Sequence, residues 1–180
     1  RMEGGDPEAF AHKFLKNLFQ YHGMAVGHFT GDECVMGDSP VQGSELCSVV
    51  EAMYSYEHLL AISGDAAWGD YLERLAFNAL PATCSADMWT HQYDQQTNQI
   101  RCARLPEDHV IFGTNGPESN LFGLEPNFGC CTANFNQGWP KFAMSAFMRS
   151  DDGIVSAALV PASVHTSIGG QSVTCRLDTE

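Results

Sequence analysis

The chain has 180 residues, 44% of them hydrophobic and 17% charged, with a formal net charge of −13 at pH 7. That composition fits one ordinary well-packed globular body rather than a disordered chain. Only nine Lys and Arg stand against 22 Asp and Glu, which argues against nucleic acid as a partner and leaves a neutral ligand as the easier choice.

No apolar run approaches the roughly 20 residues that a membrane span needs. The start, Arg1-Met2-Glu3-Gly4-Gly5-Asp6, has no hydrophobic core of the signal-peptide kind. The chain does not begin with Met and stops inside a strand-like stretch, Cys175 to Glu180. A fragment of a longer protein is therefore expected. The acidic composition and free thiols lean toward the cytoplasm. The seven cysteines (34, 47, 84, 102, 130, 131 and 175) are odd in number and lack the spacing of a disulfide scaffold. Reduced thiols with metal or catalytic duties are the better expectation.

Asp6-Pro7-Glu8 reads as a helix start, with Asp6 as cap and Pro7 at the first helical position. Phe10, Phe14, Leu15, Leu18 and Phe19 then recur at three- and four-residue steps, predicting a helix over 7–21. Residues 23–44 carry five glycines and one proline and predict a long loop or two short strands. A second helix is predicted over 46–62, ended by Gly64, and a third over 66–80, capped by Asp65 and closed by Pro81. Residues 88–93 alternate and predict a β-hairpin with 98–102, which would place Trp89, His91 and Tyr93 on one face, opposite Gln92. Residues 103–129 read as loop. A helical pattern returns over 132–149, with a kink or break expected at Gly138 and Pro140. Beyond the turn at 151–153 three strand-like segments follow, at 154–160, 164–168 and 173–177, so a domain boundary is placed near 150.

The chemistry gathers at Glu45-Leu46-Cys47 and Gly129-Cys130-Cys131. Three thiols and a carboxylate are enough to hold a tetrahedral zinc ion. Residues two apart on a helix differ by about 200° of rotation, so Glu45 and Cys47 share an ion only if Glu45 precedes the helix in extended backbone. Adjacent cysteines converge only where the backbone turns, as at a helix start. There the dipole and free amides lower a thiol's pKa. On spacing alone a structural zinc clip is favoured over a catalytic site. Cys34, Cys84, Cys102 and Cys175 have no partner spacing and read as core or bystander thiols. His28, Asp32, Glu33 and Cys34 lie in the long loop, where each alone reads as a solvated residue.

The segments His22-Gly23-Met24, Gly31-Asp32-Glu33, Glu45-Leu46-Cys47, Glu73 to Asn78 and Gly129-Cys130-Cys131 resemble the β-L-arabinofuranosidase superfamily, glycoside hydrolase family 127 and its relatives. The resemblance runs through nearly the whole chain. It implies a mainly α fold: part of an (α/α)6 barrel in residues 1–150, with the β-hairpin inserted, then the first strands of a β-sandwich in 151–180. It implies zinc held by Glu45, Cys47, Cys130 and Cys131, with Cys130 as nucleophile forming a thioglycosyl intermediate. Glu33 maps best onto the general acid/base, with Asp32 as the competing choice. The implied activity is a retaining hydrolase releasing β-linked L-arabinofuranose or a similar furanoside. His28, Trp89, His91, Gln92, Tyr93 and Asn127 are candidates for gripping a neutral sugar, Tyr93 foremost because the family uses a tyrosine there. Some members place a histidine two residues before the cysteine pair, where this sequence has Phe128. The alternatives are a non-catalytic helical module with structural zinc, and a lyase or epimerase on the same barrel.

Overall fold

A computed structural model describes residues 5–104, 116–123 and 127–179. Helix α1 (Pro7–His22) starts as its sequence dictates: the Asp6 carboxylate accepts from the Glu8 and Ala9 amides at 3.0 and 3.4 Å. A loop leads to the short strand β1 (Gly43–Glu45) and directly into α2 (Leu46–Ser63). Gly64, at φ 70°, ends α2 in the left-handed region, and its N–H bonds Leu60. Asp65 then caps α3 (Ala66–Arg74).

The third helix does not stop at Pro81. A π turn (Leu75–Ala79) follows α3 and leads into the short α4 (Leu80–Ala82). The Leu80 amide reaches back five residues to Leu75. The next π-type donor would be residue 81, and proline has none. The Ala76 carbonyl is thereby left for the Trp139 indole N–H, at 3.0 Å.

The expected hairpin over 88–102 does not form. Strand β2 (Asp94–Gln96) pairs antiparallel with β1 instead, in the register Glu45 to Asp94, Ser44 to Gln95 and Gly43 to Gln96. Long-range partners win over local alternation: the Gln92 amide bonds Thr83, the Asp94 amide bonds Ser119, and the Leu46 amide bonds Tyr93. Trp89 is 74% exposed while Tyr93 is fully buried, so the shared face predicted for Trp89, His91 and Tyr93 is absent.

Helix α5 (Gly129–Ser145) begins three residues before the predicted start and takes both cysteines into its first turn. Pro140 lies inside this one helix. Gly138 gives close approach to α2 and α4, since a Cβ there would sit 2.7 Å from Leu80 Cδ2 and 3.3 Å from Val50 Cγ2. The helix ends earlier than predicted, and Phe147–Ser150 forms strand β3, paired with β4 (Gly153–Ser156). A second hairpin joins β5 (Ala162–Ile168) to β6 (Gln171–Leu177) through Gly169-Gly170, both at positive φ.

The core lies where α2 meets α3 and α5. Leu46, Val49, Val50 and Met53 pack with Trp68, Leu72, Leu75, Phe142 and Cys131. The described residues are thus mainly helical, with three small antiparallel sheets. No described helix is long and apolar enough to cross a membrane.

Candidate metal centre and reacting site

Two long-range contacts build the site. The β1–β2 pairing fixes Glu45, and the packing of α5 on α2 brings the Cys130-Cys131 turn to Cys47. Glu45 is the residue just before α2, at φ −67° and ψ 137°. The extended backbone that its sharing an ion with Cys47 requires is present. The donor atoms of Glu45, Cys47, Cys130 and Cys131 all lie within 4.8 Å of one another, and the Cys47 and Cys131 sulfurs are 3.2 Å apart. Cys131 is buried and Cys130 exposed, leaving Cys130 as the thiol of the pair open to an incoming molecule. Three thiols and one carboxylate at this separation are a donor set suited to a zinc-like cation.

The electrostatics show how much acid is crowded here. The Cys47 thiol is lowered to about 6, chiefly by the bond from Cys131 and further by Asn134, Glu45 and Cys130, against the opposing effect of burial. Burial pushes Cys130 up, and the Cys47 charge adds to it. Cys131 goes up because it bonds the Cys47 sulfur and is buried. Glu45 is pushed up to about 8 by burial first, then by Cys47, Glu33 and Asp32. Among these four donors alone, one thiolate on Cys47 suppresses ionisation of its neighbours. The helix dipole that favours ionised Cys130 and Cys131 is outweighed by that thiolate and by burial.

The acid loop stands beside this cluster. Glu33 is exposed and sits at φ 63°, in a region where a non-glycine residue is strained by about 1 kcal/mol or more. Asp32 accepts from the Tyr93 hydroxyl at 2.8 Å; burial raises its carboxyl, the Tyr93 bond opposes this, and the Glu33 charge adds to it. Tyr93 stacks on Phe128, with ring centroids 4.0 Å apart.

The other predicted residues are dispersed around this centre. His28 is fully buried, bonds the Ser48 hydroxyl at 2.9 Å, and is pushed down to about 3 by burial. His91 is buried with Nε2 3.0 Å from the Thr132 hydroxyl, just past the cysteine pair. Gln92 donates to the Ala82 carbonyl and accepts from Gln99. Asn127 donates to the Glu118 carboxylate.

Sequence reasoning missed Asp94, assigned only to a turn. It is fully buried opposite Glu45, and neither carboxylate oxygen has a hydrogen-bond partner among the described residues. Burial pushes it up to about 8, with Asp32 and Glu45 adding to the effect. Its carboxylate occupies the space over Gly43 that a Cβ would need. The local signal was weak, because only the β1–β2 pairing reveals it.

A helical scaffold presenting a thiol-rich, metal-competent cluster beside a carboxylate loop defines the class of site. Residues 10–144 match the family described as β-L-arabinofuranosidase, GH127 catalytic domain, and the chain belongs to that family. Its fold is similar to the crystal structure of a GH127 β-L-arabinofuranosidase from Geobacillus stearothermophilus T6, with a TM-score of 0.63 at 12% identity. That similarity covers 96% of this chain and 27% of the other, so the chain spans about a quarter of that protein's length. No curated protein matches this sequence.

Proposed function

We propose that this chain carries the reacting centre of a retaining glycoside hydrolase that releases β-linked L-arabinofuranose or a similar furanoside. The observation that carries this reading is the convergence of Glu45, Cys47, Cys130 and Cys131 within 4.8 Å, in a member of the GH127 catalytic-domain family.

In this reading Glu45, Cys47, Cys130 and Cys131 hold a zinc ion. When bound, it supplies the positive charge that keeps the crowded thiols deprotonated. The Cys130 sulfur attacks the anomeric carbon, forming a C–S bond as the C–O bond to the leaving group breaks. Glu33, protonated, gives its proton to the departing oxygen. Glu33 as carboxylate then takes a proton from water, whose oxygen displaces sulfur and releases the sugar. Two displacements at one carbon return the original anomeric configuration.

Tyr93, His28, His91, Gln92 and Asn127 are assigned to the sugar's surroundings, acting on hydroxyls directly or by fixing those that do. One observation favours Asp32 as a second reading for the acid: it is half-buried and held by Tyr93. Residues 1–150 are assigned to part of an (α/α)6-barrel domain and 151–180 to the start of a β-sandwich.

The test uses an aryl β-L-arabinofuranoside with rapid quenching and mass analysis. A single anhydropentose on Cys130 is the expected intermediate, and Cys130→Ser abolishes turnover. Undiminished turnover in that variant removes Cys130 as nucleophile. Glu33→Gln and Asp32→Asn separate the two acids, since only the true acid/base variant responds to an added small anionic nucleophile. Bound metal without turnover of any furanoside supports a structural clip instead.

A further inference from the structure

We propose that His28 is a positioning residue for the reaction: acting through Ser48, it sets the Glu45 ligand against the loop that carries Asp32 and Glu33. This rests on the metal-and-acid reading above and extends it, since His28 is fully buried and its task lies at the ligand turn.

The hydrogen-bond roles follow from a count of protons. The Ser48 hydroxyl donates to the Glu45 carbonyl at 2.9 Å, so its one proton is committed. His28 Nε2 lies 2.9 Å from the same hydroxyl oxygen and must therefore be the donor. Burial pushes the imidazole down to about 3, so the ring carries a single N–H, and that N–H is on Nε2. Nδ1 is left as a buried acceptor with no partner among the described residues. A buried unpaired acceptor is costly, and an apolar side chain would avoid it. The ring's bond to Ser48 is what it gains in return.

Glu45 is thereby gripped at both its amide and its carbonyl from one loop. Its amide donates to the Gly31 carbonyl at 3.0 Å, and its carbonyl is held through Ser48 by His28. Gly31 is the neighbour of Asp32, and its own amide bonds the Gly43 carbonyl. The segment between the two grips is fixed from the other side as well. The Thr30 amide donates to the His22 carbonyl, and the His28 carbonyl accepts from the Met24 amide, both at 2.7 Å. Glu45 spends no side-chain hydrogen bond on capping α2, so its carboxylate is left to the cysteine cluster. The backbone that aims the one carboxylate among the four donors is thus registered to the backbone that aims the acids.

The test titrates cobalt(II) into the metal-stripped chain and reads affinity together with the visible d–d absorption, which reports ligand geometry. Ser48→Ala cuts the link and leaves the ring. His28→Leu removes the ring, and His28→Gln returns an N–H donor near the Nε2 position. Loss of a partner that orients a ligand costs about 10- to 100-fold in metal affinity. Ser48→Ala and His28→Leu should each weaken cobalt at least about tenfold and shift the band, and His28→Gln should restore both toward the parent. The double variant should lose no more than the worse single one, because the two residues act as one chain. A merely structural His28 would lower the unfolding midpoint and leave the cobalt band where it is. Alanine suits helix α2 at position 48, so a misfolded His28→Leu does not block the test. A parent chain that takes up no cobalt removes the metal reading and this role with it. A parent that binds cobalt, with Ser48→Ala matching its affinity and spectrum, keeps the metal reading and overturns the role of His28.

Discussion

Replacing Asp94 by Asn tests the electrostatic picture of the site most sharply. Asp94 is fully buried, and both its oxygens lack partners among the described residues. Its carboxyl holds a proton up to about pH 8, whereas in the unfolded chain it loses it near pH 4. Between those values the folded state binds more protons than the unfolded state. Stability is therefore full below about pH 4 and is lost as pH rises toward about 8. The slope is at most about 1.4 kcal/mol per pH unit, which gives a ceiling of about 5 kcal/mol across the window. Relaxation and water access bring the realistic loss to about 2–3 kcal/mol. Asn has nearly the same shape and no charge to develop. Its buried amide has a fixed cost of about 1–3 kcal/mol, so the informative quantity is the pH dependence and not the absolute stability. Urea unfolding of metal-stripped protein, measured at pH 5, 6, 7 and 8, gives both. The parent chain should weaken steadily toward pH 8 and the Asn variant markedly less. Glu45, also raised to about 8, leaves a residual slope in both. Parallel pH profiles would refute the assignment of a buried, protonated Asp94.

Three further outcomes are expected. Gly43→Ala puts a methyl group where the Asp94 carboxylate lies; it should cost about 3 kcal/mol or more and lower metal uptake by the cysteine cluster, read by metal analysis and thermal unfolding. Trp139→Phe removes the donor to the Ala76 carbonyl in the π turn and should cost about 1–3 kcal/mol in urea titrations, with a normal far-UV spectrum. Chelation of the cysteine cluster should lower stability more at pH 8 than at pH 6, because the crowded acids then develop charge without a cation; equal losses at both values would contradict that crowding.

The helices were legible because their signals are local. Asp6-Pro7, Gly64 and Asp65 sit where capping physics puts them. The four metal-type donors were legible because Glu45 had to precede a helix for its carboxylate to meet Cys47, and it does. What failed was set by distant partners. The alternation over 88–93 resembled a strand, but Thr83, Ser119 and β1 take its backbone groups. Pro81 resembled a stop, but a π turn absorbs it and Trp139 satisfies the freed carbonyl. Asp94 was invisible for the same reason: nothing nearby in sequence says that its carboxylate lies over Gly43.

Phe128 brings these threads together. It is an aromatic residue two positions before the cysteine pair. That ring stacks on Tyr93 at 4.0 Å, while the Phe128 carbonyl accepts from the Cys131 and Thr132 amides at 2.9 and 3.3 Å. Tyr93 in turn bonds Asp32 through its hydroxyl and the Leu46 amide through its carbonyl. One stacked pair therefore ties the start of α5, the acid loop and the Glu45–Cys47 turn to a common centre. Phe128 presents a ring face to Tyr93 and is half-buried there. The stack thus lends rigidity between the cysteine turn and the carboxylate loop. Cys130 is left as the exposed member of its pair, at the start of the helix that this stack holds in place.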